Sequence, residues 1–208
     1  MFDWSGQTPG RRLILDTFLK LATSKGYSAV TMRMLGKEID VKAPSIYSHF
    51  PGGRDEIVVE TLRWHYYCFG VELLESIDGV RDADEAWAAI VRLYVQFQVE
   101  RPESHFWDLL VESDRIGSFL PPEIREEIAH WLRLCSQLLE ATAKELGCAD
   151  PELSVRVVLT VLEGSNLWAD WDGTAESTER SVAQANAITR SIIELDLSTS
   201  LRTPAKVE

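Results

Sequence analysis

Along the chain the apolar residues recur at intervals of three and four, not two. From Arg11 to Lys25, Ile14, Phe18 and Leu21 share one face and Gly26 follows as a stop, which predicts a first helix. Thr31 stands where an N-cap belongs, ahead of MRMLGKEI, whose Met34, Leu35 and Ile39 can face a core. Asp40-Val41 ends that segment. Pro44 suits the first turn of the next helix, because its missing N–H would have no partner there, and APSIYSHF runs on until Pro51-Gly52-Gly53 stops it. A long helix is predicted from Arg54 or Asp55 to about Ile77, then others over Ala83–Glu100, Glu103–Asp114, Glu123–Leu146, Pro151–Trp171 and Ser177–Leu195. Alternating Val/Ile/Thr segments closed by turn pairs are missing, so the expected fold is all-α, about nine helices.

Two short helices joined by a tight turn and held by a longer preceding helix make a helix-turn-helix unit, whose second helix enters the DNA major groove. Leu35, Ile39, Val41 and Ile46 are spaced to lock the pair together, and Gly36 permits a close backbone approach. Lys42, Ser45, Tyr47 and His49 remain polar on the other side. The expected division is a DNA-binding domain over residues 1–54 and a helical effector-binding and dimerisation domain over 55–208.

The formal net charge of −12 speaks against a nucleic-acid partner until its distribution is seen. Through residue 54 there are eight basic residues (Arg11, Arg12, Lys20, Lys25, Arg33, Lys37, Lys42, Arg54) and four acids (Asp3, Asp16, Glu38, Asp40), a net of +4; the rest carries −16. A basic head on an acidic body is the asymmetry expected when one end docks on DNA and the other stays clear of it.

The stretch GYSAVTMRMLGKEIDVKAPSIYSHFPGGRDEIV resembles the N-terminal domain of the tetracycline-repressor (TetR/AcrR) family of bacterial regulators. The resemblance rests on Gly-aromatic after the first helix, Thr-x-Arg opening the second, aliphatic-Tyr-x-His-Phe in the third and a basic residue opening the fourth. It covers about Arg11–Leu62. It implies that Thr31, Tyr47, His49 and Arg54 grip phosphates, while Arg33, Ala43, Pro44 and Ser45 lie closest to base edges; Lys42 joins them at the start of the recognition helix. Hydroxyl, phenol and imidazole groups suit phosphate oxygens, and Arg33 suits a bidentate contact to guanine. For Tyr47 and His49, covering the edge of the core is the alternative role. Two departures stand out: Asp40 fills a turn position where glycine is frequent, and the Pro51–Arg54 connection is one residue longer than usual, with Arg in place of Lys.

In the acidic body the resemblance implies an inducer pocket. Its candidate walls are Tyr67, Val71, Tyr94, Phe97, Trp107, Leu110, Trp131 and Leu162, with His105 and Asn166 as polar anchors, against the alternative that each is ordinary core. Val155, Leu159 and Leu162, with Ala185, Ile188 and Ile192, form stripes suited to a homodimer, which doubles the reach of a short recognition helix on a pseudo-palindromic operator. The same stripes would serve the body's own core.

No cofactor, metal site or catalytic constellation is expected. Glu127-x-x-His130 has the spacing of half a di-iron site but lacks a second such pair, and no phosphate loop or nucleophile elbow occurs. The three scattered cysteines, the lack of a secretory start and the lack of a long apolar run predict a cytoplasmic, non-membrane protein. The functional expectation is a repressor released from double-stranded operator DNA by a small apolar or aromatic effector. The alternatives are an activator of the same fold answering a different partner, and a helical small-molecule-binding protein.

Overall fold

The computed structural model describes residues 7–101, 103–104, 107–108, 110–111, 114 and 120–195. Among these every regular element is helical. Helix α1 spans Pro9–Lys25 and begins before the apolar spacing predicts, because Thr8 accepts from the Arg11 N–H and Pro9 fills the first turn. Gly26 closes it at φ 81°, donating its N–H to the Ala22 carbonyl at 2.8 Å. After a 3-10 turn at Tyr27–Ala29, α2 runs over Met32–Glu38, capped by the Thr31 hydroxyl accepting from Met34 N at 3.2 Å. Helix α3 is Ala43–His49, and α4 is Gly53–Ile77 with Asp55 and Glu56 at its positive end.

Asp40, between α2 and α3, has φ 53°. The left-handed conformation costs an ordinary L-residue about 1–2 kcal/mol, less for Asp, whose short polar side chain bonds locally. Asp40→Gly is therefore expected to raise thermal stability slightly, and Asp40→Val to lower it by about 1–2 kcal/mol. Paired melting curves check this; a stabilised valine variant would contradict the turn geometry.

The remaining elements are α5 (Ala83–Glu100), α6 (Pro122–Glu145), α7 (Pro151–Glu163), a short α8 (Ser165–Trp168) and α9 (Ala175–Glu194). The described residues between 103 and 114 are also helical. Asp82, Asp150 and Thr174 cap α5, α7 and α9 with side-chain oxygens. The continuous helix expected over Pro151–Trp171 is broken at Gly164. There the Trp168 indole N–H turns back to the Val161 carbonyl at 2.9 Å, and glycine, the least helix-committed residue short of proline, takes the break.

The described residues divide into two compact units, those within Met1–Val71 and Pro102–Ile128, and those within Glu72–Arg101 and Ala129–Glu208. This packing division differs from the 54/55 boundary, since much of α4 and the first turns of α6 belong to the first unit. Leu15, Phe18, Leu35, Ile46, Phe50, Ile57, Leu62 and Trp107 form the interior of the first unit. In the second, α5, α7 and α9 pack together around Trp87, Ile90, Val155, Val158 and Leu162, and the Trp87 indole donates to Thr189 Oγ1 at 3.1 Å. Among the described residues no helix is long and apolar enough to cross a membrane.

Candidate nucleic-acid interface

The α2–α3 turn is tight because Val41 N donates to the Gly36 carbonyl at 2.8 Å, and a Cβ on Gly36 would lie 2.6 Å from the Val41 carbonyl oxygen. Only a residue without a side chain admits that approach. Ile46 is fully buried against this turn, so one side of the seven-residue α3 is committed to the core. The opposite side is left to solvent: Lys42, Pro44, Ser45 and Tyr47 are exposed and Ala43 is half-buried. Arg33 on α2 is exposed as well. The Thr31 hydroxyl, exposed at the start of α2, accepts from Met34 N as a cap, and a hydroxyl that accepts still carries a proton to donate.

Tyr47 and His49 sit on opposite flanks of α3. The Tyr47 ring lies beside Gly53, whose added Cβ would be 3.1 Å from Tyr47 Cε1, while the His49 ring lies 3.3 Å from a Cβ position on Gly10 of α1. Each thus covers a backbone and also borders the exposed face. Arg54 is turned inward, its Nε donating to the Val30 carbonyl at 3.1 Å and Nη1 standing 3.7 Å from Asp55. The longer Pro51–Arg54 connection is closed by Gly53 N donating to the Phe50 carbonyl at 2.9 Å and Gly52 N to Glu56 Oε2 at 2.7 Å.

One residue that sequence patterning treats only as a charge proves central. Arg11 donates to the His49 carbonyl at the end of α3, places its guanidinium 4.1 Å over the Phe50 ring and reaches Glu60 on α4. The only sequence signal was its place in the basic head. Glu127, singled out for its spacing to His130, is held by Arg63 through two hydrogen bonds of 2.7 and 2.8 Å, and this bonding raises the Arg63 pKa above its ordinary value. Among the described residues no three His, Cys, Asp or Glu side chains gather as a metal site.

The expected pocket residues fall in both units. Trp107 and Leu110 are buried in the core of the first, where Tyr67 and Val71 are half-buried; Tyr67 stacks on Trp64 at 5.7 Å. In the second, Tyr94, Phe97 and Leu162 are buried, and Trp131 and Asn166 half-buried. His105 lies outside the described residues. A groove of about 540 Å³ in the first unit is lined by Arg54, Val59, Glu60, Arg63, Leu120 and Pro121, and by none of the expected walls. Burial pushes the Cys135 thiol pKa up to about 11, although a hydrogen bond from Tyr94 works the other way, so it stays protonated at neutral pH. Of the dimer stripes, Val155, Leu162 and Ala185 have no exposed surface and belong to their own unit's core. Leu159, Ile188 and Ile192 are half-buried, and Val157 is the exposed apolar residue of α7.

Residues 14–61, from α1 into the first turns of α4, match the family model for bacterial regulatory proteins of the tetR family. The matched stretch is 48 of the chain's 208 residues. Over 118 residues the chain is 27% identical to the uncharacterized HTH-type transcriptional regulator YobS of Bacillus subtilis (strain 168), a stretch that is 55% of this chain and 59% of that one. The match thus spans a little over half the length of that curated relative. A protein from Saccharomonospora viridis solved in complex with choline shares the fold, with a TM-score of 0.72 at 20% identity over 88% of this chain and 97% of that one. So does AibR, solved with isovaleryl coenzyme A and operator DNA, with a TM-score of 0.69 at 16% identity over 86% and 96% of the two chains.

Proposed function

We propose that this chain is a tetR-family, sequence-specific, DNA-binding transcriptional regulator, a homodimeric repressor that leaves its operator when a small apolar or aromatic effector binds. The observation that carries the reading is the division of α3: Ile46 fully buried, and Lys42, Ser45 and Tyr47 exposed beside Arg33 in the net-positive end of the chain. Arg33, Ala43, Pro44 and Ser45 read base edges. Lys42, Thr31, Tyr47 and His49 hold phosphates, and Arg54 serves them by fastening the first turn of α4 to Val30, just ahead of Thr31. The effector candidates are, within the first unit, Tyr67, Val71, Trp107 and Leu110 and, separately within the second, Tyr94, Phe97, Trp131, Leu162 and Asn166. The half-buried Leu159, Ile188 and Ile192, joined by Val157, supply the dimer contact. Support for both partners comes from AibR, whose structure holds operator DNA together with an acyl coenzyme A.

The test is binding to the protein's own upstream DNA against random duplex across a range of salt concentrations. Wild type is expected to prefer its upstream DNA by at least about a thousandfold, and equal binding to both would overturn the reading. Arg33→Ala should cost about 1–3 kcal/mol and relax preference at one base pair, whereas Tyr47→Phe should weaken all sequences alike. Identical behaviour of the two variants would refute the assigned roles.

A further inference from the structure

Helix α3 is two turns long and its last carbonyls lack partners within the helix itself, so its angle depends on what grips that end. The grip is Arg11. Its guanidinium donates to the His49 carbonyl, lies over the fully buried Phe50 ring and bonds Gln7 through Nε at 2.7 Å. A cation at a helix C-terminus is favoured by the helix dipole. What aims this cation is Glu60, whose Oε2 stands 3.5 Å from Arg11 and whose Oε1 accepts from Arg63 at 2.5 Å. Arg63 in turn makes the planar two-bond contact with Glu127 on α6. The result is an unbroken chain of charge, His49 carbonyl to Arg11 to Glu60 to Arg63 to Glu127, lying within the first unit. Side-chain exposures of 14–26% remove it from the class of fully solvated surface pairs.

We propose that Glu60, Arg63 and Glu127 are positioning residues for DNA recognition: they aim Arg11, and Arg11 sets the recognition helix, so that α6 and α3 hold one geometry. The inference rests on the DNA-binding reading above. Electrostatics makes the test a matter of sign. Removing a carboxylate next to a polyanion tightens binding to any duplex if charge alone counts. If Glu60 positions α3, removing it instead loses the operator while leaving random duplex as tight or tighter.

The experiment compares Glu60→Gln, Glu127→Gln and Arg63→Lys with wild type, measuring affinity for upstream and random duplexes and the salt dependence of each. Glu60→Gln is expected to lower the upstream-to-random ratio about five- to tenfold with the salt slope unchanged, Glu127→Gln to lower it about two- to threefold, and Arg63→Lys to lower it as Glu127→Gln does, because ammonium keeps the charge but lacks the two-pronged contact. An unchanged or raised ratio in folded Glu60→Gln overturns the proposal. Should Glu60→Gln not fold, Glu127→Gln decides by the same criterion. A wild type without operator preference sinks the DNA-binding reading itself; a wild type with preference and variants that keep it sink only this inference.

Discussion

Gly36→Ala is expected to abolish the proposed preference for upstream DNA and to destabilise the first unit by about 2 kcal/mol. The added methyl would stand 2.6 Å from the Val41 carbonyl oxygen, a backbone atom fastened in place by the Val41 N to Gly36 O bond of 2.8 Å. No flexible side chain can move aside. Alanine's better helix propensity, worth roughly 1 kcal/mol over glycine, offsets part of the strain in stability but none of it in geometry, because α2 and α3 must separate. The second unit should keep its helical signal. Thermal unfolding with anisotropy of a labelled upstream duplex reads both effects; wild-type binding and melting in Gly36→Ala would show that the turn is looser than described.

Phe50→Ala carries the other large effect. Phe50 has no exposed surface, its N–H bonds the Ile46 carbonyl at 2.9 Å to end α3, and Arg11 lies over its ring. Truncating a buried phenylalanine costs about 3–5 kcal/mol, and losing the cation from the ring adds roughly 0.5–1 kcal/mol. For a unit of this size the melting transition should fall by more than about 10 °C, with hydrogen exchange rising first in α1–α3. Phe50→Leu, which keeps most of the volume, should cost about 1.5 kcal/mol or less and retain the proposed binding to upstream DNA. A Phe50→Ala protein with α1–α3 as protected as in wild type would refute the placement of Phe50 at the centre of this core.

The helix-turn-helix was legible because its requirements are local. Thr31 caps α2, Asp40 takes the left-handed turn, Pro44 sits in the first turn of α3 and Ile46 points inward, each for a reason set by nearest neighbours in the chain. The Thr8-Pro9 start of α1 carries the same kind of local signal, a side-chain cap followed by proline in the first turn. Less legible were pairings across the chain. Arg11 and Glu60 are 49 residues apart, and Arg63 and Glu127 are 64 apart, so no spacing rule joins them. The stripe of Val155, Leu159 and Leu162 shows the same boundary from another side. Periodicity shows that a face is apolar, but not whether the chain's own helices or a second copy covers it, and here Val155 and Leu162 are covered by their own unit.

By itself the sequence determined that the regular elements of the described residues are helical, that a basic head precedes an acidic body, and which side of α3 is buried. These follow from backbone propensity, charge count and the 3.6-residue period, which need no long-range partner. The tertiary structure alone decided that Arg11 grips the end of α3, that Arg54 turns in to Val30, and that Glu127 answers Arg63. Those are contacts between distant segments, made only once buried apolar surface has drawn the helices together.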